Sequence, residues 1–216
     1  MNLRKDYELE LSQMRNNVIL MSRTSIEMFE QCLSVFFKEN DFSMKQLEDL
    51  QKKQELLEKE IKKAATSLIT RQQPVAKDTR EVICAIRIAT NWLKICSHIT
   101  DISEYAAVCP QKIMANSEEE NILLQLNSTA AEMLQGTSDA YKTRDTNKAI
   151  AVAKTDDLID QTFWDIRNNI LSGGQNASYS ICALMIAEHI ERIADHAANI
   201  CEEIVYLENY ELVKLN

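Results

Sequence analysis

The chain holds 216 residues, of which only 3 are glycine and 2 are proline. That scarcity excludes an all-β fold, because sheet connections draw on the special backbone angles that glycine and proline supply. Apolar residues make up 45% and charged ones 26%, a globular balance that also excludes wholesale disorder. With 33 acidic against 24 basic side chains the formal net charge is -9. Such a surface repels phosphate backbones and anionic lipid heads, which argues against nucleic-acid binding and polybasic membrane docking.

The stretch from Met1 to Glu8 runs straight into a charged amphipathic pattern, without the apolar stretch and small-residue cleavage site of a signal peptide. Charges interrupt every apolar run before it reaches the roughly 18 residues of a membrane span, so a soluble protein without membrane insertion is expected. Cys32, Cys84, Cys96, Cys109, Cys182 and Cys201 are scattered, with no C-x-x-C pair. Most fall at apolar helical positions, where a reduced thiol behaves as a small hydrophobe.

Taken in chain order, segments of 3.6-residue periodicity are separated by a few breakers, namely Asn40-Asp41, Gln73-Pro74, Pro110, Gly136 and Gly173-Gly174. Six long helices are predicted, at 3–39, 42–71, 75–108, 117–143, 145–171 and 177–209. Pro74 suits the first turn of the third, and the tandem glycines close the fifth. The segment after Pro110 divides the chain into two sets of three, residues 1–112 and 113–216. A slide of 105 positions superposes Ile61 on Ile166 and Glu55 on Asp160, and a slide of 94 superposes Ile99 on Ile193 and Asp101 on Asp195. The fold class expected is therefore all-α, two tandem three-helix bundles of antiparallel helices.

The sixth helix carries a heptad seam, Ile186, Ile190, Ile193, Ala197, Ile200, Ile204 and Leu207, and the third carries its counterpart, Ile88, Trp92, Ile95, Ile99, Ile102 and Ala106. Beside the first seam runs a polar stripe of Glu188, Glu191, Asp195, Asn199 and Glu202. Asp195 lies about 200° around the helix from Ile193 and is expected to point away from the seam. The stripe reads in two ways. It is either the solvated face of an ordinary bundle or half of a carboxylate metal site, in which Glu191 and Asp195 join Asp156 and Asp160 of the preceding helix. Four like charges brought together between two helices call for a polyvalent cation, and His196 offers a neighbouring nitrogen ligand. A ferritin-like di-iron centre is excluded, since no Glu-x-x-His pair is present. The three histidines, His98, His189 and His196, form no constellation by spacing, and there is no Walker loop, G-x-G-x-x-G, G-x-S-x-G or His-Glu-x-x-His. A non-enzymatic protein is expected.

Two segments carry a resemblance. Arg71-Gln72-Gln73-Pro74-Val75-Ala76-Lys77-Asp78-Thr79-Arg80 resembles the Q-P-V-A-x-D-L-R signature of the PhoU family, phosphate transport system accessory proteins, with Thr79 where leucine is usual. Glu191 to Glu202 resembles that family's E-R-I-G-D-H-A-x-N-I-A-E helix, with Ala194 for glycine and Cys201 for alanine. Asp156 to Asp160 matches its acidic motif. The resemblance implies a cytoplasmic negative regulator of phosphate uptake and of phosphate-starvation signalling, peripheral to the membrane through protein partners. Those implied partners are the ATP-binding subunit of the phosphate ABC transporter, a phosphate-sensing histidine kinase and a second copy in a homodimer. It also implies a surface-bound metal ion or cluster, iron or zinc, on Asp156, Asp160, Glu191 and Asp195. The first repeat departs from the pattern. Gln51, Glu55, Ser97 and Asp101 stand at the matching positions, with His98 for the family's arginine and Tyr105 for its asparagine. A regulator of a different phosphate carrier without metal, or a carboxylate-bridged metalloenzyme, are the other readings the residues leave open.

Overall fold

A computed structural model describes residues 3–36, 44–72, 76–108, 118–172, 177–211 and 213–215. The described residues form α1 (Leu3–Phe36), α2 (Met44–Gln72), α3 (Ala76–Val108), α4 (Glu118–Thr143), α5 (Thr146–Ala153), α6 (Thr155–Leu171) and α7 (Ala177–Asn209). The architecture is all-α, two three-helix bundles in tandem: α1, α2 and α3 pack together, as do α4, the α5–α6 pair and α7. Asn40-Asp41, Pro74, Pro110, Gly173-Gly174 and the division at 112/113 lie outside the described residues.

Both predicted seams are buried in full, but each third helix buries more than its seam. On α7 a second stripe of Ala183, Ala187, Ala194, Ala198, Cys201 and Val205 is also buried, one residue on from the first and so about 100° around. On α3 the added stripe includes Val82, Ala85, Ala89 and Cys96. The reason is tertiary. Each third helix packs inside its own bundle and also against the other's third helix, so a single apolar seam would leave one of those contacts polar. This double burial accounts for an 18-residue window in α3 with a mean hydropathy of 1.2, apolar enough to cross a membrane by length and composition alone but half buried within the bundle.

The α3–α7 pairing is antiparallel along its length. Arg80 lies over the ring of Tyr210 at 3.9 Å, Arg87 donates to Glu203 at 3.1 Å, Asn91 meets His196 and His98 meets His189. The first helices of the two bundles also touch, through a buried hydrogen bond of 2.8 Å between the hydroxyls of Ser22 and Ser138.

An ionic cluster ties the two bundles at one end. The Glu81 carboxylate on α3, 6% exposed, accepts from Arg15 of α1 and from Arg144 at 2.5 Å. Arg144 also donates to Glu208 of α7 at 2.9 Å. Arg144 occupies the turn between α4 and α5 with a φ of 55°, a left-handed conformation that costs a non-glycine residue about 1–2 kcal/mol. The turn is closed by Asp145 N–H donating to Ala140 C=O at 3.1 Å, and the Asp145 carboxylate then caps α5 by accepting from Lys148 N–H at 3.0 Å. The two ion pairs help hold the strained turn.

The expected single helix at 145–171 is divided. Lys154, with a ψ of -13°, stands between α5 and α6 in a tighter, 3₁₀-like geometry than the α-helix. No glycine or proline marks this break. Gly136 lies inside α4, within the helix predicted at 117–143, where a Cβ would sit 2.7 Å from Cγ2 of Val152 on α5. Its missing side chain is what lets the two helices approach.

Two outcomes are expected from thermal or chemical denaturation. Gly136→Ala lowers stability by about 1 kcal/mol despite alanine's better helix propensity, because β-branched Val152 has little freedom to yield; adding Val152→Ala recovers part of the loss. Glu81→Gln, which leaves two arginines facing a neutral amide, costs about 2 kcal/mol, less than a fully buried pair because both arginines are about one-third exposed, and lowers Tm by roughly 4–8 °C.

Candidate functional site

The split at Lys154 places Asp156 and Asp157 in the first turn of α6, where the positive end of the helix dipole favours carboxylates. Asp156 shares the inward stripe of α6 with Ile159 and is itself buried, at 3% exposure. Asp160, one turn on, is half-buried, as are Glu191 and Asp195 on α7. The expectation of a fully outward stripe is therefore corrected. With two adjacent stripes of α7 buried, Asp195 and Glu191 lie at the margin of the buried arc rather than opposite it.

The remaining members of the stripe have separate roles. Glu188 accepts from Arg192 at 2.8 Å, Glu202 accepts from the Leu215 N–H at 2.8 Å, and Asn199 is exposed.

The four candidate ligands, Asp156, Asp160, Glu191 and Asp195, form one electrostatic unit. Burial, followed by the nearby Asp195 and Asp160 carboxylates, pushes the Glu191 carboxyl up to about 7. Burial and Asp195 likewise raise Asp160 above the ordinary carboxylate range, and burial raises Asp195 against the opposing effect of Arg192. Desolvated like charges of this kind fit a polyvalent cation, which would favour the ionised forms of all four. No three of these four come as close together as the ligands of a single ion do.

At the corresponding positions of the first repeat two of the four carboxylates are replaced, by Gln51 and Ser97, and neutral hydrogen bonds run beside them. Thr100 donates to the Gln51 Oε1 at 3.0 Å. Gln54, fully buried, donates its amide to Met21 C=O at 2.9 Å and to Ser25 at 3.0 Å. The buried carboxylates of this repeat lie elsewhere, Glu58 paired with Lys62 and Glu81 in the ionic cluster.

A second ligand set was not evident from sequence spacing. All three histidines meet between α3 and α7. His98 Nδ1 and His189 Nδ1 lie 3.1 Å apart, and Asp101 Oδ2 lies 3.7 Å and 3.6 Å from them. The His196 ring stacks on His98 with centroids 5.6 Å apart. Burial lowers the affinity of His98 for a proton and brings the pKa of His196 down to about 4. The one local signal was the i, i+3 pair His98 and Asp101; the third ligand comes from a helix 91 positions away. The buried cysteines behave as expected: Cys32, Cys84, Cys96 and Cys201 are free, and burial raises each thiol to about 12, which removes thiolate character at neutral pH.

The PhoU domain model matches residues 18–106 and again 123–204. The chain belongs to the PhoU family. It is similar to the phosphate-specific transport system accessory protein PhoU homolog of Clostridium acetobutylicum, 26% identical over 99% of both chains. A protein of the same description from Streptococcus pneumoniae is 32% identical over 72% of this chain and 73% of its own. The fold is that of the crystal structure of the phosphate transport system regulatory protein PhoU from Streptococcus pneumoniae, with a TM-score of 0.85 over 96% of this chain and 99% of that one at 23% identity. PhoU from Pseudomonas aeruginosa aligns with a TM-score of 0.75 over 95% of this chain and 100% of its own at 19% identity.

The electrostatics of the acidic unit set a pH dependence for this PhoU chain. Glu191 is raised in the folded state, so between pH 4.5 and 7 the folded protein holds more protons than the unfolded one and stability falls as pH rises. In chelator-treated protein, Glu191→Gln is expected to flatten that slope, matching the parent near pH 4.5 and melting about 2–4 °C higher at pH 8. Melting curves across that range measure it, and an unchanged slope would show that Glu191 does not carry the effect.

Proposed function

We propose that this chain is a cytoplasmic accessory regulator of phosphate transport, restraining phosphate uptake and phosphate-starvation signalling through protein contacts rather than catalysis. The observation that carries this reading is the correspondence over both repeats with proteins named phosphate-specific transport system accessory proteins. In this reading the partners are the ATP-binding subunit of the phosphate ABC transporter and a phosphate-sensing histidine kinase. The protein acts as a homodimer, peripheral to the membrane, and its working halves are residues 1–112 and 113–216.

Asp156, Asp160, Glu191 and Asp195 hold a metal ion or cluster, iron or zinc, in the second repeat. Bound there, the metal would neutralise the carboxylates and brace α6 against α7. The protein's own residues prepare the site: Asp156 is buried on α6, and Glu191 and Asp195 project one turn apart from α7. With Gln51 and Ser97 at two of the matching positions, the first repeat has no equivalent set of four carboxylates.

Deletion of the gene is expected to raise phosphate-starvation reporter expression several-fold in phosphate-rich medium. Unchanged expression together with unchanged intracellular phosphate overturns the regulatory reading. Affinity capture from solubilised membranes is expected to recover the ABC transporter's ATP-binding subunit, and recovery of a different phosphate carrier instead would replace that partner. Elemental analysis is expected to find less bound iron or zinc in Asp195→Ala than in the parent chain.

A further inference from the structure

We propose that His98, Asp101 and His189 form a second metal site, selective for a borderline divalent transition ion such as Zn²⁺, bridging the two repeats. It is separate from the acidic quartet. Glu191 and Asp195 lie about 200° and 240° around α7 from His189, facing α6, whereas His189 faces α3.

The geometry fits an ion. The ligand atoms form a triangle with sides of 3.1, 3.6 and 3.7 Å. Bonds of about 2.1 Å in a tetrahedral arrangement place ligand atoms about 3.4 Å apart, close to the mean of those three sides. One hydrogen bond between the two Nδ1 atoms accounts for the shortest side only. The Asp101 Oδ2 lies beyond hydrogen-bond reach of both nitrogens yet within 3.7 Å of each. The Asp101 side chain is 45% exposed, so water can complete a fourth position.

The surroundings hold the ligands in place. His196, almost in line with His189 one heptad along α7, stacks on His98 and is itself tied to Asn91, with its Nδ1 3.1 Å from Oδ1. The Tyr105 ring lies 5.5 Å from His189. Two imidazoles and one carboxylate prefer zinc, nickel or copper to magnesium or calcium. Lys94 and Arg192 act on His98 electrostatically and oppose a cation, while Asp101 offsets them. The second repeat does not reproduce the set: Asp195 matches Asp101, but Arg192 stands where the first repeat has His98 and Asn199 where it has Tyr105.

The test uses the full chain stripped of metal by chelator and titrated calorimetrically with Zn²⁺ in excess Mg²⁺, with Co²⁺ as a spectroscopic probe. The double variant Asp160→Asn with Asp195→Asn, which weakens the acidic quartet, is expected to keep a Zn²⁺ site and the visible Co²⁺ bands of tetrahedral nitrogen ligation. Adding His98→Gln or His189→Gln is expected to weaken Zn²⁺ binding at least tenfold and to remove those bands. Where either histidine variant misfolds by circular dichroism, Asp101→Asn, at an exposed position, is expected to lose several-fold affinity in its place. Zn²⁺ affinity and Co²⁺ spectra unchanged by these substitutions, or already abolished by the acidic-site variant alone, overturn the proposal.

Discussion

Everything in this fold depends on two long apolar helices, α3 and α7, lying antiparallel against each other while each also completes a bundle of its own. A helix with one seam can serve one partner. These two serve several, and their sequences meet the demand with a second stripe of small residues, alanine and cysteine, set beside the isoleucine seam. Small side chains let the helices approach closely, and the broad apolar arc supplies the burial that joins the repeats. Most polar side chains on α3 and α7 lie at the margins of that arc, although Glu81 and Ser103 of α3 are buried within it. Both candidate metal sites occupy such margins.

The two repeats treat buried polarity differently. In the first, Thr100 donates to Gln51 and Gln54 donates to Ser25 and to Met21 C=O, neutral pairs that ordinary pH does not alter. In the second, the same region holds carboxylates that burial raises, Glu191, Asp160 and Asp195 alike, with like-charge neighbours adding to the rise at Glu191 and Asp160. Neutral hydrogen bonds are cheap to bury and respond to little, whereas clustered charge is costly and responds to protons and cations. The duplicated scaffold thus places neutral hydrogen bonds around Gln51 and Gln54 and clustered carboxylates in the matching part of the second repeat.

The join between the repeats concentrates the remaining charge. Glu81, Arg15, Arg144 and Glu208 clamp one end of the α3–α7 pair, and Arg144 does so from a left-handed turn. The histidine cluster lies further along the same interface. A change in how α3 sits on α7 would be felt by both groups, since each takes residues from both helices.

The sequence by itself determined the helical class, both apolar seams and the duplicated plan, because helical periodicity records which residues share a face. It also placed Asp156 with Asp160, and Glu191 with Asp195, as pairs one turn apart. Only the tertiary structure decided how faces on different helices meet. The burial of Asp156, the break at Lys154 and the close approach at Gly136 leave no local mark, since each depends on a neighbour's shape. Most of all, His98 and His189 stand 91 positions apart. Their 3.1 Å separation is set by the antiparallel register of α3 on α7, which is the summed result of many small packing contacts along both helices and is written in no single stretch of the chain.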